Sequence, residues 1–344
     1  MRLQRAWQTR GALAWALRPV AWIYGALAAV RRGLYRARWL TSEHPGRPVI
    51  VVGNVIAGGA GKTPVTIALV QHLREQGLQP GVISRGHGRG TTDCRPVLPG
   101  SPAAEVGDEP ALIARQCPGT PVFVARRRID AARALLAAHP QTDVLICDDG
   151  LQHLALARDV EICVFNDQGI GNGWLLPAGP LREPWPRQVD FVLHSGAAPA
   201  ATAAPAFALQ RGLAPFAVTQ TGQQVPLASL RNMPVHAVAG IARPDDFFAM
   251  LRAAGLTLAA ADALPDHYDF NSWKRSPDKR KTLVCTEKDA LKLWLREPDA
   301  LAVPLQTWID PAFFPAVEAR LSSLLPRPPC DQPTDRKPHG PQTA

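Results

Sequence analysis

The strongest chemical signal in the sequence is a glycine-rich segment, VVGNVIAGGAGKTP, at residues 51–64. Glycines let backbone N–H groups converge on phosphate oxygens, and the N-terminus of a helix attracts the same negative charge. In such a loop Lys62 reaches the β- and γ-phosphates of a nucleotide, and the Thr63 hydroxyl binds Mg²⁺. We therefore predict that ATP and Mg²⁺ are bound by the loop residues Ile56, Ala57, Gly58, Gly59, Ala60, Gly61, Lys62 and Thr63.

This segment departs from the strict pattern G-x-x-x-x-G-K-[ST], because Ile56 occupies the first glycine position. The remaining letters, A-G-G-A-G-K-T, are closer to the loop of partitioning and nitrogenase-type ATPases. Those proteins usually carry a lysine where this chain has Ala57, so their lysine-mediated dimer mechanism is not supported. A chance glycine-rich turn is disfavoured, since an apolar strand precedes the segment and a helix follows it.

Two adjacent carboxylates, Asp148 and Asp149, follow the apolar run at residues 144–147. In a doubly wound sheet the carboxyl ends of the strands face the ligand crevice. Acids at a strand end also occur as turn or helix caps. Together with the phosphate loop, the pair predicts a Mg²⁺ site that uses the carboxylates directly or through water.

Three further motifs place polar side chains in loops or at helix ends. GDEP sets Asp108 and Glu109 before a predicted helix, where acids are common for helix-dipole reasons alone. PDHYDF sets His267 between two acids in a polar turn, and a lone histidine indicates little by itself. LLPAGPLREP is a proline- and glycine-rich loop that presents Arg182 and Glu183, and we expect it to face a phosphate or a sugar.

The elements that must position these residues are apolar strands that alternate with helices. Continuous apolar strands separated by helices predict a parallel sheet covered on both faces. We expect an α/β fold with a doubly wound, mostly parallel P-loop NTPase domain, a second, smaller α/β domain and an N-terminal membrane-associated helix. The predicted limits are 1–40 for the basic N-terminal arm, 41–225 for the P-loop domain, 226–325 for the smaller domain and 326–344 for a disordered proline-rich tail.

The positive charge of the chain is concentrated in this arm. Lys and Arg outnumber Asp and Glu by 38 to 29, a net charge of +9, and residues 1–40 hold eight arginines and no acid. The remainder is nearly neutral, which argues against a nucleic-acid groove across the protein. The six cysteines include no C-x-x-C pair, so free thiols are favoured over a metal or disulfide framework.

Residues 11–30 contain one charged residue, an arginine followed by a proline. The segment is about long enough to span a bilayer, but its arginine, proline and many alanines disfavour a span. Trp7, Trp15 and Trp22 recur at helical spacing, and the flanking arginines suit a helix that lies among lipid headgroups. We predict a membrane-surface helix; the alternatives are a secretory signal peptide, a helix packed on its own domain and a true span.

Together, the motifs resemble one family, the tetraacyldisaccharide 4'-kinases of lipid A biosynthesis. The resemblance rests on GNVIAGGAGKTP, SRGHGRG, VGDEP, DDGLQH, GNGWLLPAGPLREP, AGIARP, PDHYDF and TEKDA, which occur in the family's order. It implies Mg²⁺-dependent transfer of phosphate from ATP to the 4'-hydroxyl of a tetraacylated glucosamine disaccharide 1-phosphate. It also implies a peripheral or monotopic protein at the cytoplasmic face of the bacterial inner membrane.

The resemblance implies roles for single residues as well. By motif position, Asp108 is the general base for the sugar hydroxyl, and His267 from the second domain is its partner. Lys62, Mg²⁺ and Arg182 stabilise the transferring phosphoryl group. We further expect contacts to the lipid substrate from Arg85, Glu109, Gln152, His153 and Glu183.

The sequence departs from the family at His87, where tyrosine is more usual, and at Leu264, where phenylalanine is common. The alternative function is a nucleotide-switched partitioning ATPase without a small-molecule acceptor. Ala57 and the second domain that carries PDHYDF count against it. Besides the lipid disaccharide 1-phosphate and the membrane surface, the sequence predicts no nucleic-acid partner and allows no inference of a protein partner.

Overall fold

The computed structural model describes residues 7–275 and 281–325. Its helices and strands alternate as expected from the sequence. Up to residue 194 they are α1 (Ala12–Arg36), β1 (Val49–Gly53), α2 (Lys62–Glu75), β2 (Pro80–Ser84), β3 (Arg95–Pro96), α3 (Ala103–Val106), α4 (Asp108–Gln116), β4 (Val122–Val124), α5 (Arg128–Ala138), β5 (Val144–Asp148), β6 (Val160–Phe165) and β7 (Phe191–His194). From residue 206 they are β8 (Ala206–Leu213), β9 (Phe216–Val218), β10 (Gln224–Pro226), a 3₁₀ turn (Leu227–Leu230), β11 (Val235–Ala239), α6 (Pro244–Ala253), β12 (Leu258–Ala263), β13 (Thr282–Thr286), α7 (Glu287–Leu293), β14 (Leu301–Val303), β15 (Leu305–Ile309) and α8 (Phe313–Ser322).

Within the described ranges, nine strands form the first sheet in the order β15-β8-β7-β6-β1-β5-β2-β4-β3. The neighbours from β8 to β4 run parallel, whereas the edge strands β15 and β3 are antiparallel. β1 lies between β5 and β6, and all its residues are buried because the sheet is covered on both faces. The predicted doubly wound, mostly parallel sheet is therefore confirmed.

Alternate residues of β1 enter two separate apolar cores. Ile50 and Val52 face the core covered by α2, α4 and α8, whereas Val49 and Val51 face the core beneath α5. The strand that leads into the glycine-rich segment is thus packed from both sides. The cysteines of the described residues are free thiols, as predicted, at positions Cys94, Cys117, Cys147, Cys163 and Cys285.

Six strands of the described chain form the second sheet, in the order β10-β9-β14-β13-β11-β12. The four strands from β14 to β12 run parallel, with α6 packed on one face and α7 on the other. At the end of β13, the Thr286 hydroxyl accepts a hydrogen bond from the Asp289 backbone and caps α7. The helix therefore begins at Glu287.

The two sheets divide the chain differently from the predicted domain limits. β9 and β10 lie before residue 226 but pair within the second sheet, and β15 pairs with β8 in the first. Like β15, α8 belongs to the first sheet's domain, because its residues Phe313, Val317 and Leu321 complete the apolar core that β1 shares with α2. The predicted proline-rich tail at 326–344 and the first six residues of the arm lie outside the described residues.

The N-terminal helix α1 is continuous through Pro19. It is long and apolar enough to cross a membrane, yet only 11% of its most apolar window is buried against the protein. Trp7 precedes the helix, and its indole N–H donates to the Pro177 carbonyl at 3.0 Å, so including Trp7 in a helical tryptophan stripe was wrong. The large apolar side chains that α1 exposes are Leu13, Trp15, Val20, Trp22, Ile23, Leu27 and Val30.

Candidate active site

The glycine-rich loop connects the end of β1 to the start of α2. Gly58 and Gly61 have φ angles of 103° and 81°, a backbone conformation that other residues adopt only under strain. Gly61 is the N-cap of α2, so the helix begins at Lys62 with its first N–H groups unpaired within the helix. This backbone fits the predicted anion site, in which N–H groups and the helix dipole converge on phosphate.

A second loop, the one that carries Arg182, holds the glycine-rich loop in place. The Ala57 N–H donates to the Pro180 carbonyl at 2.7 Å, and the Arg182 N–H donates to the Val55 carbonyl at 2.7 Å. These hydrogen bonds are long-range in sequence, since they join residues more than 120 positions apart. The two predicted motifs therefore form one unit.

The strand-end acids lie directly beside this loop. Asp148 Oδ1 accepts from the Thr66 hydroxyl at 3.1 Å, and Asp148 Oδ2 from the Thr63 hydroxyl at 3.4 Å. Asp149 follows with a φ of 49°, and its Oδ1 lies 3.5 Å from Lys62 Nζ and 3.4 Å from Arg182 Nη1. The structure thus brings together the predicted lysine, threonine, arginine and both carboxylates.

The two carboxylates differ in their protonation equilibria. Burial, followed by the charge of Asp149, raises the pKa of Asp148 to about 7. Burial also acts on Asp149, but the charges of Lys62 and Arg182 outweigh it and lower its pKa. Near neutral pH Asp149 is therefore ionised and Asp148 is partly protonated, and a bound cation would favour the ionised form of Asp148.

The donor set at this position fits Mg²⁺. Thr63, Asp148 and Asp149 offer hard oxygen ligands, the type that Mg²⁺ prefers. Among the described residues, no group of three or more His, Cys, Asp or Glu side chains could hold a metal by itself. This matches a Mg²⁺ site of the nucleotide type, which uses one or two carboxylates and takes its remaining ligands from phosphate and water.

On the other side of the crevice, Asp108 pairs with His267 across the two domains. Asp108 is the first residue of α4 and is buried, and its Oδ2 lies 2.8 Å from His267 Nδ1. His267 has a left-handed backbone with a φ of 62° and follows β12. The structure therefore joins the two residues that the family resemblance paired, although they lie 159 positions apart.

Two lysines of α7, Lys288 and Lys292, complete this cluster, and the sequence reasoning missed their role. Lys292 Nζ donates to Asp108 Oδ2 at 2.8 Å, and Lys288 Nζ donates to Glu109 Oε1 at 3.1 Å. Lys288 Nζ also lies 3.5 Å from His267 Nε2. The available signal was their spacing of four residues in TEKDALKL, which places both side chains on one face of a helix.

The cluster shifts the pKa of both members of the pair. Burial favours a higher pKa for Asp108, but the hydrogen bonds from His267 and Lys292 outweigh it and lower the pKa. The hydrogen bond to Asp108 raises the pKa of His267 above its ordinary value, against the effect of burial. Asp108 is therefore ionised at neutral pH and held in one orientation.

Three of the remaining predicted substrate residues are Gln152, Glu183 and His153. Gln152 and Glu183 are joined by a 2.6 Å hydrogen bond, and Glu183 is buried in an ion pair with Arg187 at 3.1 Å. Glu183 is thus turned into the protein, unlike the expected presentation to a ligand. Burial, followed by the charge of Arg128, lowers the pKa of His153 to about 4, so its ring is neutral at pH 7.

Arg85, the last predicted contact, lines a cavity of about 360 Å³ beside the Asp108–His267 pair. His87, on the same loop, meets His267 edge to face with 5.5 Å between ring centroids. In the part of the chain that the structure describes, Arg89 Nη1 is buried without a hydrogen-bond partner. Among the described residues, the lining is cationic, polar or glycine and includes no carboxylate. The lining residues are Arg85, Gly86, His87, Gly88, Arg89, Thr91, Thr92 and Arg126.

A doubly wound sheet, a glycine-rich loop that opens a helix, and acids at the end of the adjacent strand define a two-domain protein of the P-loop kinase class. The family model described as LpxK, tetraacyldisaccharide-1-P 4'-kinase, matches residues 13–322. Tetraacyldisaccharide 4'-kinases of Verminephrobacter eiseniae and of Acidovorax sp. (strain JS42) are each 68% identical to this chain. The matches span 325 and 323 residues, which are 94% of this chain and 76% and 95% of those proteins.

The crystal structure of LpxK from Aquifex aeolicus in complex with ATP superposes with a TM-score of 0.77 at 26% identity, over 90% of this chain and 99% of that one. The chain therefore belongs to the tetraacyldisaccharide-1-P 4'-kinase family. The predicted enzyme class, a kinase of lipid A biosynthesis, is confirmed, and the partitioning ATPase is not supported.

Proposed function

We propose that this chain transfers the γ-phosphate of ATP to the 4'-hydroxyl of a tetraacylated glucosamine disaccharide 1-phosphate, with Mg²⁺ bound. The observation that carries the proposal is the Asp108–His267 pair, which joins both domains at the phosphate-loop crevice. After burial and the charge of Asp149, the charge of neighbouring Glu109 also raises the pKa of Asp148. The proposed base therefore lies close to the proposed metal ligands.

At the donor end, the chain's own residues position and neutralise phosphate. The loop backbone and Lys62 would hold the nucleotide, and Arg182 would neutralise the transferring group. Thr63, Asp148 and Asp149 would bind Mg²⁺, which when bound offsets the negative charge of the phosphates. In this structure Lys62 and Arg182 both lie beside Asp149. A bound nucleotide would replace these ionic contacts with contacts to its phosphates.

At the acceptor end, Asp108 would accept the proton of the sugar hydroxyl as the new bond to phosphorus forms. Its hydrogen bonds from His267 and Lys292 both go to Oδ2. Oδ1 is therefore the oxygen that faces the substrate. Because its pKa is lowered, Asp108 is a weak base, which is sufficient when proton transfer is late in phosphoryl transfer.

The arginine cavity described above is the proposed site for the 1-phosphate of the same acceptor. Arg85, Arg89 and Arg126 supply the cationic surface, and none of them forms an ion pair within the described residues. A guanidinium binds phosphate through a planar fork of N–H donors, so a buried free Nη1 at Arg89 fits an anionic ligand. His87 then lies between the two ends of the substrate.

Membrane attachment is proposed through α1. Its exposed tryptophans and aliphatic residues suit the headgroup layer of an anionic bilayer, and its arginines suit the negative surface. We place the protein at the cytoplasmic face of the bacterial inner membrane, peripheral or monotopic, where ATP and a lipid acceptor meet. Removal of residues 1–40 is expected to release the protein from phosphatidylglycerol vesicles; persistent co-sedimentation would mean that another surface binds the membrane.

The kinase proposal is tested by transfer of radiolabelled phosphate from ATP to the lipid acceptor in detergent. We expect transfer only with acceptor and Mg²⁺ present, and a loss of at least about a hundredfold in kcat for Asp108→Asn. Asp245→Asn is the matched control, since Asp245 is also an acid in the first turn of a helix but is exposed. Undiminished transfer by Asp108→Asn would remove Asp108 from the base role.

A further inference from the structure

Arg211, on β8, lies against the glycine-rich loop, and no motif in the sequence points to it. A Cβ atom added to Gly61 would lie 3.1 Å from Arg211 Nη1 and 3.4 Å from its Cζ, so the guanidinium packs on the loop immediately before Lys62. Arg211 Nη2 donates to the Ser195 hydroxyl at 2.9 Å. The loop is therefore flanked by a guanidinium on the side of β8 as well as by Arg182.

The charge of Arg211 has no ion-pair partner within the described residues. The nearest carboxylates, Asp167 and Asp246, are both engaged by Arg243, at 3.1 Å from its Nη2 and 2.6 Å from its Nε. Burial, followed by the charge of Arg243, lowers the pKa of Arg211. A neutral serine hydroxyl is thus the hydrogen-bond partner of a partly buried cation.

A desolvated cation without a counter-charge destabilises a fold unless an anion compensates it. The neighbouring structure is the predicted anion site, because Gly61 is the N-cap of the helix whose first N–H groups would face the phosphates. We propose that Arg211 binds the phosphate groups of the nucleotide, as a third cation beside Lys62 and Arg182. This inference rests on the proposed use of ATP, and it assigns Arg211 to nucleotide binding rather than to the acceptor.

The test measures nucleotide binding by the full-length protein in detergent, without the lipid acceptor. Titration calorimetry with ATP, ADP and AMP compares the wild type with Arg211→Gln, Arg211→Lys and a control, Arg47→Gln, at a partly exposed arginine that contacts a backbone carbonyl. Loss of one charge-assisted contact is expected to raise Kd for ATP and ADP by about ten- to a hundredfold in Arg211→Gln. The effect on AMP should be smaller, and Arg211→Lys should recover most of the affinity.

A purely structural arginine would give a different pattern. We expect the thermal midpoint of the nucleotide-free Arg211→Gln protein to stay at or above that of the wild type, because an uncompensated charge has been removed. A lowered midpoint with unchanged Kd for ATP, or equal losses for ATP and AMP, would overturn the proposal. Failure of the wild type to bind ATP would instead refute the proposed function.

A measurement on the wild type keeps the inference testable if Arg211→Gln does not fold. Phenylglyoxal labelling, read residue by residue by mass spectrometry, reports whether a guanidinium is free to react. ATP and ADP should protect Arg211 more than AMP does, while Arg47 labels equally in all conditions. Labelling of Arg211 that is unaffected by ATP would contradict the proposal.

Discussion

Asp108 shows at the scale of one residue how the surroundings of a carboxylate determine its chemistry. Its Oδ2 is shared by an imidazole and an ammonium group, both of which stabilise the ionised form. The same contacts weaken it as a base, so its environment favours orientation over proton affinity. Lys292, which comes from the second domain, is the contact that distinguishes this site from a simple Asp–His pair.

Replacement of Lys292 by methionine tests that balance. Burial raises the pKa of Asp108, and Lys292 is one of the groups that lower it, so its removal should raise that pKa. The pH at which kcat/KM falls on the acid side of the profile should therefore be higher than in the wild type. The loss of activity at high pH should be smaller than the loss at low pH. Lys274→Met, which removes an exposed lysine of the same domain, is the control; an acid limb that stays in place in Lys292→Met would contradict the assignment.

Glu183 illustrates the opposite case, a predicted substrate residue that the fold uses internally. It lies between Gln152 and Arg187, and Arg187 also pairs with Glu161. Glu183→Ala should lower the free energy of unfolding by about 2–3 kcal/mol, somewhat less than loss of an isolated buried pair, because Arg187 keeps one partner. Urea unfolding measures this, with Glu318→Ala as control. Glu318 pairs with His72 and is more exposed than Glu183, so its replacement is expected to cost under about 1 kcal/mol. A raised KM for the lipid acceptor with an unchanged free energy of unfolding would mean that Glu183 contacts the substrate.

At the scale of elements, local and long-range features differ in what the sequence reveals. The glycine-rich loop and the strand-end acids are local patterns, and their positions follow from one strand, one turn and one helix. The return of β15 and α8 to the first sheet is not local, because an apolar helix face fits either core until packing selects one. The roles of Lys292 and Arg211 could not be predicted from the sequence for the same reason, because their partners lie far away along the chain.

The contact between α1 and the loop of Arg182 joins the membrane element to the active site. The Tyr24 hydroxyl donates to the Arg182 carbonyl at 2.7 Å, and Arg31 Nη1 donates to the Gln152 carbonyl at 3.1 Å. Between them, Gly25 packs so closely that an added Cβ would lie 2.8 Å from Leu175 Cδ1. α1 therefore does more than expose an apolar face, since it also supports the loop that carries Arg182.

Gly25→Leu is expected to push α1 away from this loop. Activity on the lipid acceptor should fall by about ten- to a hundredfold, because displacement of Arg182 misplaces a charge at the reacting centre. Gly33→Leu is the matched control, since Gly33 is in the same helix and has no atom within 4 Å of an added Cβ. Both variants should still co-sediment with vesicles. Equal activities would show that the docking of α1 does not support catalysis.

At the scale of the whole molecule, two sheets meet over one crevice, and charged pairs hold them together. Asp108–His267 and Asp167–Arg243 each join a residue beside the first sheet to one beside the second. The proposed base, Asp108, therefore has its His267 partner only when the domains are in contact, which is the arrangement expected of a kinase that must exclude water. The chain's excess positive charge lies on the N-terminal arm, which docks on the loop of Arg182.

The Asp108–His267 contact makes domain closure depend on pH in a defined direction. The lowered pKa of Asp108 contributes stability that is present above its unfolded value, about 3.9, and is lost as the pH falls through the folded value. The raised pKa of His267 contributes stability that is present below its unfolded value, about 6.5, and is lost as the pH rises through the folded value. The ion pair should therefore stabilise the closed molecule most between about pH 4 and 6.5.

Urea unfolding of the wild type and His267→Gln across this range measures the effect. Asp108, Glu109, Asp266 and Lys288 all face the imidazole, and Lys288 is the group that opposes its protonation. The difference in unfolding free energy between the two proteins should be largest near about pH 5.5 and shrink above the raised pKa of His267. His44→Gln, in a more exposed pair with Asp159, should differ from the wild type by less than about 1 kcal/mol throughout. A His267 difference that is constant with pH would mean that the contact is a neutral hydrogen bond, and closure would then be insensitive to protonation.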